Sequence, residues 1–121
     1  MRAQRRTGSL DVPIPNADRA IIAVEKLTAY LLNPSHRRGG AKARLLISVG
    51  YQTNAPGGLE SDLRTQHLSL NAKRTSQNAY GVGYEIEGPI TTPSGRVLRF
   101  CSIWQVDTGS EVPRFITMYP R

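Results

Sequence analysis

The sequence predicts an α+β fold, with N-terminal helices packed on one face of a C-terminal, mainly antiparallel sheet of about four strands. Three observations carry that prediction. Apolar residues recur at helical spacing up to the region of Leu68 and alternate beyond it. A tight-turn sequence, Thr92-Pro-Ser-Gly95, separates two of the alternating runs, as an antiparallel connection requires. The layout is helices first, then a meander of about four strands, and helices segregated from an antiparallel sheet make an α+β fold.

The elements follow in chain order. Residues 1–10 read as a flexible basic arm, and residues 11–121 as one α+β domain. Asp11 to Pro15 is extended, because Val12 and Ile14 each precede a proline. Arg19 to Val24 is a short apolar run, part strand or lead-in. Glu25 to Leu32 is helical, with Leu27, Tyr30 and Leu31 on a buried face, and Asn33-Pro34 stops it. A second helix spans Ala41 to Val49 with Leu45, Leu46 and Val49 inward, and Gly50 ends it. Leu59 to His67 is a third, weaker helix. Strands are expected within Leu68–Gln77, Gly83–Ile90, Val97–Val106 and Arg114–Tyr119. On the third of these, Phe100, Ser102 and Trp104 share one face, and Trp104 is expected to anchor the core.

Charge narrows the function. A net charge of +7 and a pI near 10.2 point to anionic partners, nucleic acid or an acidic protein. Residues 1–79 hold 12 basic against 5 acidic side chains, whereas residues 80–121 hold 4 of each, so the charge belongs to the helical half. Cys101 is the only cysteine, so no internal disulfide forms and a reducing compartment fits; its strand context marks it as a packed thiol. Two histidines and one cysteine are too few for the usual structural zinc site, and no cofactor is expected. No run approaches the ~18 apolar residues of a membrane span, and the basic start has no apolar stretch behind it, against a signal peptide.

The densest chemistry lies between the first two helices, where His36, Arg37, Arg38, Lys42 and Arg44 fall together around Gly39-Gly40. A helix start favours anions, and cations beside it would complete a phosphate site. The bland alternative is a solvated basic turn. His36 suits proton transfer, since an ordinary imidazole titrates near neutrality. Thr117 and Tyr119 share parity on the last strand and therefore one face, where a hydroxyl and a phenol can meet phosphate or a base. Arg99 and Arg114 are candidate cations on the same sheet surface. His67 is either a second proton carrier or a helix cap; Glu85 and Glu87 are either a general base or a solvated strand edge.

The pattern Lys26-Leu-x-x-Tyr30-Leu-Leu-Asn33-Pro-x-His36-x-x-Gly39-Gly40-x-Lys42-Ala43-Arg44, followed by Gly50-Tyr51, resembles an uncharacterised bacterial domain family. So does Tyr84-x-Ile-Glu87-Gly88-Pro89-Ile, continued by Thr92-Pro-x-Gly95-Arg96, Ile103-Trp104 and Pro113-Arg114-Phe-Ile-Thr117-x-Tyr119-Pro120. This likeness covers residues 12–120. More distantly, the helical half, the antiparallel sheet and the Thr-x-Tyr-Pro ending resemble the barnase–EndoU–colicin–RelE group of ribonuclease toxins. That resemblance implies a metal-independent ribonuclease acting on RNA, with His36 or Lys42 from the helical half and Thr117 and Tyr119 from the strand. It also implies a cognate acidic immunity or antitoxin protein, and a cytoplasmic place of action, in the producing cell or in one into which the protein is delivered. The rival expectation is a non-catalytic binding module whose basic face holds RNA or an acidic protein. A common cleft for His36, Lys42, Thr117 and Tyr119 favours the enzyme; scatter favours the module.

Overall fold

The computed structural model describes Gly8–Ser9 and residues 12–121. The expected arm, residues 1–10, falls mostly outside that set; within it, Gly8–Ser9 form a two-residue strand, β1. The helical half follows: a 3-10 turn Ala17–Arg19, a π-helical segment Lys26–Leu31, helix α1 Gly40–Ser48 and helix α2 Gly57–Asp62, which runs on as a π turn Leu63–His67. Four strands complete the chain, β2 Lys73–Asn78, β3 Gly81–Thr91, β4 Val97–Asp107 and β5 Arg114–Pro120. All pairs are antiparallel and the strands lie in chain order, an α+β meander with helices first.

The helices bury Leu27, Leu31, Leu46, Leu59 and Leu63 against Ile86, Ile90, Phe100, Trp104 and Phe115 of the sheet. Trp104 is fully buried with its ring edge-on to Phe115 at 5.1 Å, the anchoring role its sequence context predicts. Two details depart from the sequence reading. The first helix is π-helical: the Leu32 amide donates to the Leu27 carbonyl at 2.7 Å, five residues back. Apolar spacing could not reveal this, because Leu27 and Leu31 are buried by either winding. The strand expected from Leu68 begins only at Lys73. Leu70 instead lies over Gly88, where an added Cβ would stand 2.4 Å from its Cδ1.

His67 is neither cap nor proton carrier at the surface. It is wholly buried, with Nδ1 2.7 Å from Ser102 Oγ and Nε2 3.0 Å from the Gly88 carbonyl. The carbonyl only accepts, so Nε2 carries the proton and Nδ1 accepts from the Ser102 hydroxyl. Ser102 in turn accepts from Trp104 Nε1 at 2.9 Å. This chain of three bonds fixes the second π turn to β3 and β4 and leaves none of those polar atoms unpartnered.

One irregularity makes the site. At the lead-in, the Ile21 amide donates to the Pro113 carbonyl and the Phe115 amide to the Ile21 carbonyl, so Ile21 pairs parallel with β5 at Arg114. The chain then leaves the strand and winds into the π-helical segment. A gap opens between that segment and Ile116–Thr117.

Candidate functional site

The gap is an open cleft of about 540 Å³ lined by Ala23, Glu25, Lys26, Tyr30, His36, Ile116 and Thr117. Lys42 reaches over from α1: its Nζ donates to Thr117 Oγ1 at 3.3 Å and stands 4.9 Å from the centre of the Tyr30 ring. The His36 ring meets Tyr30 edge-on at 4.8 Å. Thus His36, Lys42 and Thr117, far apart in sequence, come together around Tyr30.

Local structure explains how the corner holds His36. Asn33 Oδ1 accepts the Ser35 amide at 3.0 Å and the Asn33 carbonyl accepts the His36 amide at 3.1 Å, a tight turn forced by Asn-Pro. His36 Nδ1 then accepts the amides of Arg38 and Gly39 at 3.1 and 3.0 Å, and its carbonyl accepts that of Gly40. His36 therefore closes the turn that leads into α1, whose N-cap position is Gly39. Two consequences follow. These amides are not available to an anion, which removes part of the phosphate site expected at the helix start. And with two N–H groups aimed at Nδ1, the ring proton sits on Nε2, so the imidazole offers a donor and not a base.

The paired glycines are set by close approach. A Cβ on Gly39 would lie 2.7 Å from Tyr30 Cε1, and one on Gly40 would lie 2.7 Å from the Pro34 carbonyl oxygen. Gly39 thus lets Tyr30 lie flat beneath the corner, and Gly40 lets α1 start against the preceding turn.

Tyr30 lines the cleft although helical spacing assigned it to the core, and it is only half-buried. The Lys42 ammonium beside it pulls its phenol below the usual tyrosine range; burial opposes this, while Thr117 and the nearby Lys26 charge add to it. Glu25 and Lys26 line the same cleft. No local pattern places any of the three there, because the cleft exists only where the chain leaves β5.

The remaining candidates lie elsewhere. Tyr119 shares the Thr117 face two residues on, roughly 7 Å along the strand, but lies outside the cleft lining. It pairs with Cys101, whose thiol raises the phenol, and Arg121 stands 5.9 Å over its ring. Arg37 and Arg38 are exposed on the corner. Arg44 is exposed with its guanidinium near the Pro34 carbonyl at 3.4 Å. Arg99 is exposed on β4. Arg114 is tied to Asp107 by two bonds of 2.7 and 3.1 Å, which lower the aspartate and raise the guanidinium. Glu87 is held by Arg121, and Glu85 faces the buried Cys101 thiol at 3.8 Å. Among the described residues no three His, Cys, Asp or Glu side chains are grouped to hold a metal ion, and no helix is long and apolar enough to cross a membrane.

A family described as a domain of unknown function, DUF6883, matches residues 13–121. The chain belongs to that family. No curated protein matches it. Among solved structures, a chain from a contact-dependent growth inhibition toxin–immunity protein complex of Klebsiella pneumoniae 342 is similar, with a TM-score of 0.57 at 18% identity. The likeness covers 84% of this chain and 99% of the other, so this DUF6883 domain has the fold of that protein nearly throughout.

Proposed function

We propose that this DUF6883 domain is a toxin-type ribonuclease that cleaves RNA without a metal ion and is held in check by a cognate immunity or antitoxin protein. The observation that carries this reading is the meeting of Tyr30, His36, Lys42 and Thr117 around one open cleft. RNA cleavage of this kind needs a group to take the 2′-hydroxyl proton, a donor for the leaving 5′-oxygen, and cations or N–H groups for the charge on phosphorus. Lys42 supplies a cation, and His36 Nε2 supplies a hydrogen bond to a phosphate oxygen. Arg37 and Arg38 extend the positive surface along the incoming strand. Tyr119, on the same face beyond Thr117, suits stacking of a flanking base. The fold neighbour's place in a toxin–immunity complex supports a partner protein, and the basic surface suits an acidic one. The place of action is the cytoplasm, of the producing cell or of a cell that receives the protein.

The test is incubation of the purified chain with total RNA in excess EDTA. The expected products carry 2′,3′-cyclic phosphate and 5′-hydroxyl ends, and Lys42→Met lowers the rate by about 10²–10⁴. A second reading, a non-catalytic module that binds RNA or an acidic protein, is favoured by the engaged Nδ1 of His36, which removes the expected base. RNA that binds and stays intact with folded protein, with or without added divalent metal, decides for that reading.

A further inference from the structure

With Nδ1 of His36 occupied, the cleft offers two other proton acceptors: the exposed Glu25 carboxylate, and the half-buried Tyr30 phenol, which alone has Lys42 beside it. Glu25 and Lys26 lie on the same segment as Tyr30, His36 on the corner, Lys42 on α1, and Thr117 on β5. We infer that Tyr30 is the catalytic base of this site and that Lys42, whose ammonium stands 4.9 Å from the centre of its ring, is the acid. This assignment rests on the ribonuclease reading above.

The geometry for it is a small closed set. Lys42 Nζ lies beside the Tyr30 ring and bonds Thr117 Oγ1, so Thr117 fixes the ammonium at the edge of the cleft. The same lysine, with Thr117 and the Lys26 charge adding to it, draws the phenol below its usual range against the effect of burial. Gly39 keeps the ring in place by having no side chain to displace it. In the step itself, the 2′-oxygen loses its proton to the Tyr30 phenolate and forms its bond to phosphorus. The bond from phosphorus to the 5′-oxygen breaks, and that oxygen leaves with the electron pair and takes a proton from the Lys42 ammonium. Tyrosine and lysine are then both neutral. The phenol then gives its proton back and the amine regains one, so the pair resets with no further reactant. Thr117 is a positioning residue here.

The experiment compares wild type, Tyr30→Phe and Lys42→Met on a short RNA and on its analogue with sulfur in place of the bridging 5′-oxygen. A thiolate leaves without a proton, so it relieves the need for an acid but not for a base. Tyr30→Phe keeps the ring that packs on His36 and Gly39. It is expected to lose about 10²-fold or more on both substrates. Lys42→Met is expected to lose as much on the oxygen substrate and to recover most of the loss on the sulfur one. Incorporation of 3-fluorotyrosine at position 30, which makes the phenol more acidic, is expected to move the acid limb of the pH–rate profile to lower pH; a packing role would leave it in place. Cleavage by Tyr30→Phe within a few-fold of wild type overturns the assignment while leaving the ribonuclease reading intact. Equal losses for Lys42→Met on both substrates overturn the role of the lysine as acid. No cleavage by folded wild type overturns the ribonuclease reading and this assignment with it.

Discussion

His36 shows how one side chain can hold a fold and a site together. Its Nδ1 ties down the turn before α1 while its ring walls the cleft, so His36→Ala removes both at once. The expected cost is about 1 kcal/mol of stability, as for loss of a typical intramolecular hydrogen bond. His36→Asn places an oxygen where Nδ1 stands and should recover most of that in a urea titration, yet not the imidazole's contribution to RNA cleavage. The neighbouring glycines separate stability from chemistry in the same way. Gly39→Ala drives a methyl into the Tyr30 ring, whereas Gly40→Ala drives one into the rigid Pro34 carbonyl. Gly40→Ala should therefore show the larger fall in thermal midpoint. Gly39→Ala should chiefly weaken cleavage, since a ring can tilt and thereby leave Lys42. Equal effects of the two on both measurements would refute this division.

Between elements, the determining contact is the buried chain from Trp104 through Ser102 and His67 to Gly88. Ser102→Ala leaves the Trp104 N–H and His67 Nδ1 without partners inside the core. Each unsatisfied group costs about 1–3 kcal/mol, and chemical denaturation should show a loss in or above that range. The same chain gives a pH dependence whose sign is fixed. Burial pushes the His67 imidazole below its ordinary range, against an opposing pull from the Gly88 carbonyl. The unfolded chain then binds more protons than the folded one once pH falls below about 6.5. Stability is fully present above that value and declines as pH falls towards the folded imidazole's own titration. His67→Gln should be less stable at neutral pH and show a shallower acid slope. The exposed carboxylates Glu87 and Asp107, held low by their arginine partners, lose their contribution only at more acid pH.

Over the molecule as a whole, the positive charge is not one reservoir. Arg114 and Arg121 are paired with Asp107 and Glu87, while Arg37 and Arg38 are exposed on the corner beside the cleft. RNA affinity is expected to fall with salt, with a log–log slope of roughly −0.7 per phosphate contacted on a single strand. Arg37→Ser and Arg38→Ser should each flatten that slope by about one contact. Arg114→Ser should leave it nearly unchanged and lower stability modestly, because an exposed ion pair contributes little. A slope that responds to Arg114 and not to the corner arginines would move the interface to the far end of β5.

The sequence by itself determined the fold class. The change of apolar period near Leu68 separated helices from strands, Asn33-Pro34 and Gly50 bounded α1 and its predecessor, and Thr92-Pro-Ser-Gly95 set the β3–β4 turn. These are local signals, written into backbone preferences and side-chain periodicity, and they need no knowledge of what packs against what. Sequence also brought His36, Lys42 and Thr117 to notice through their chemistry. Only the tertiary structure decided that these three meet, that Tyr30 is the group they meet around, that the lone pair of His36 is already engaged, and that Arg114 is paired. The physical reason is range: Lys42 and Thr117 are 75 residues apart, and such a contact depends on where the chain leaves β5 and how wide the π-helical turn is. Neither of those leaves a periodic trace in the order of the residues.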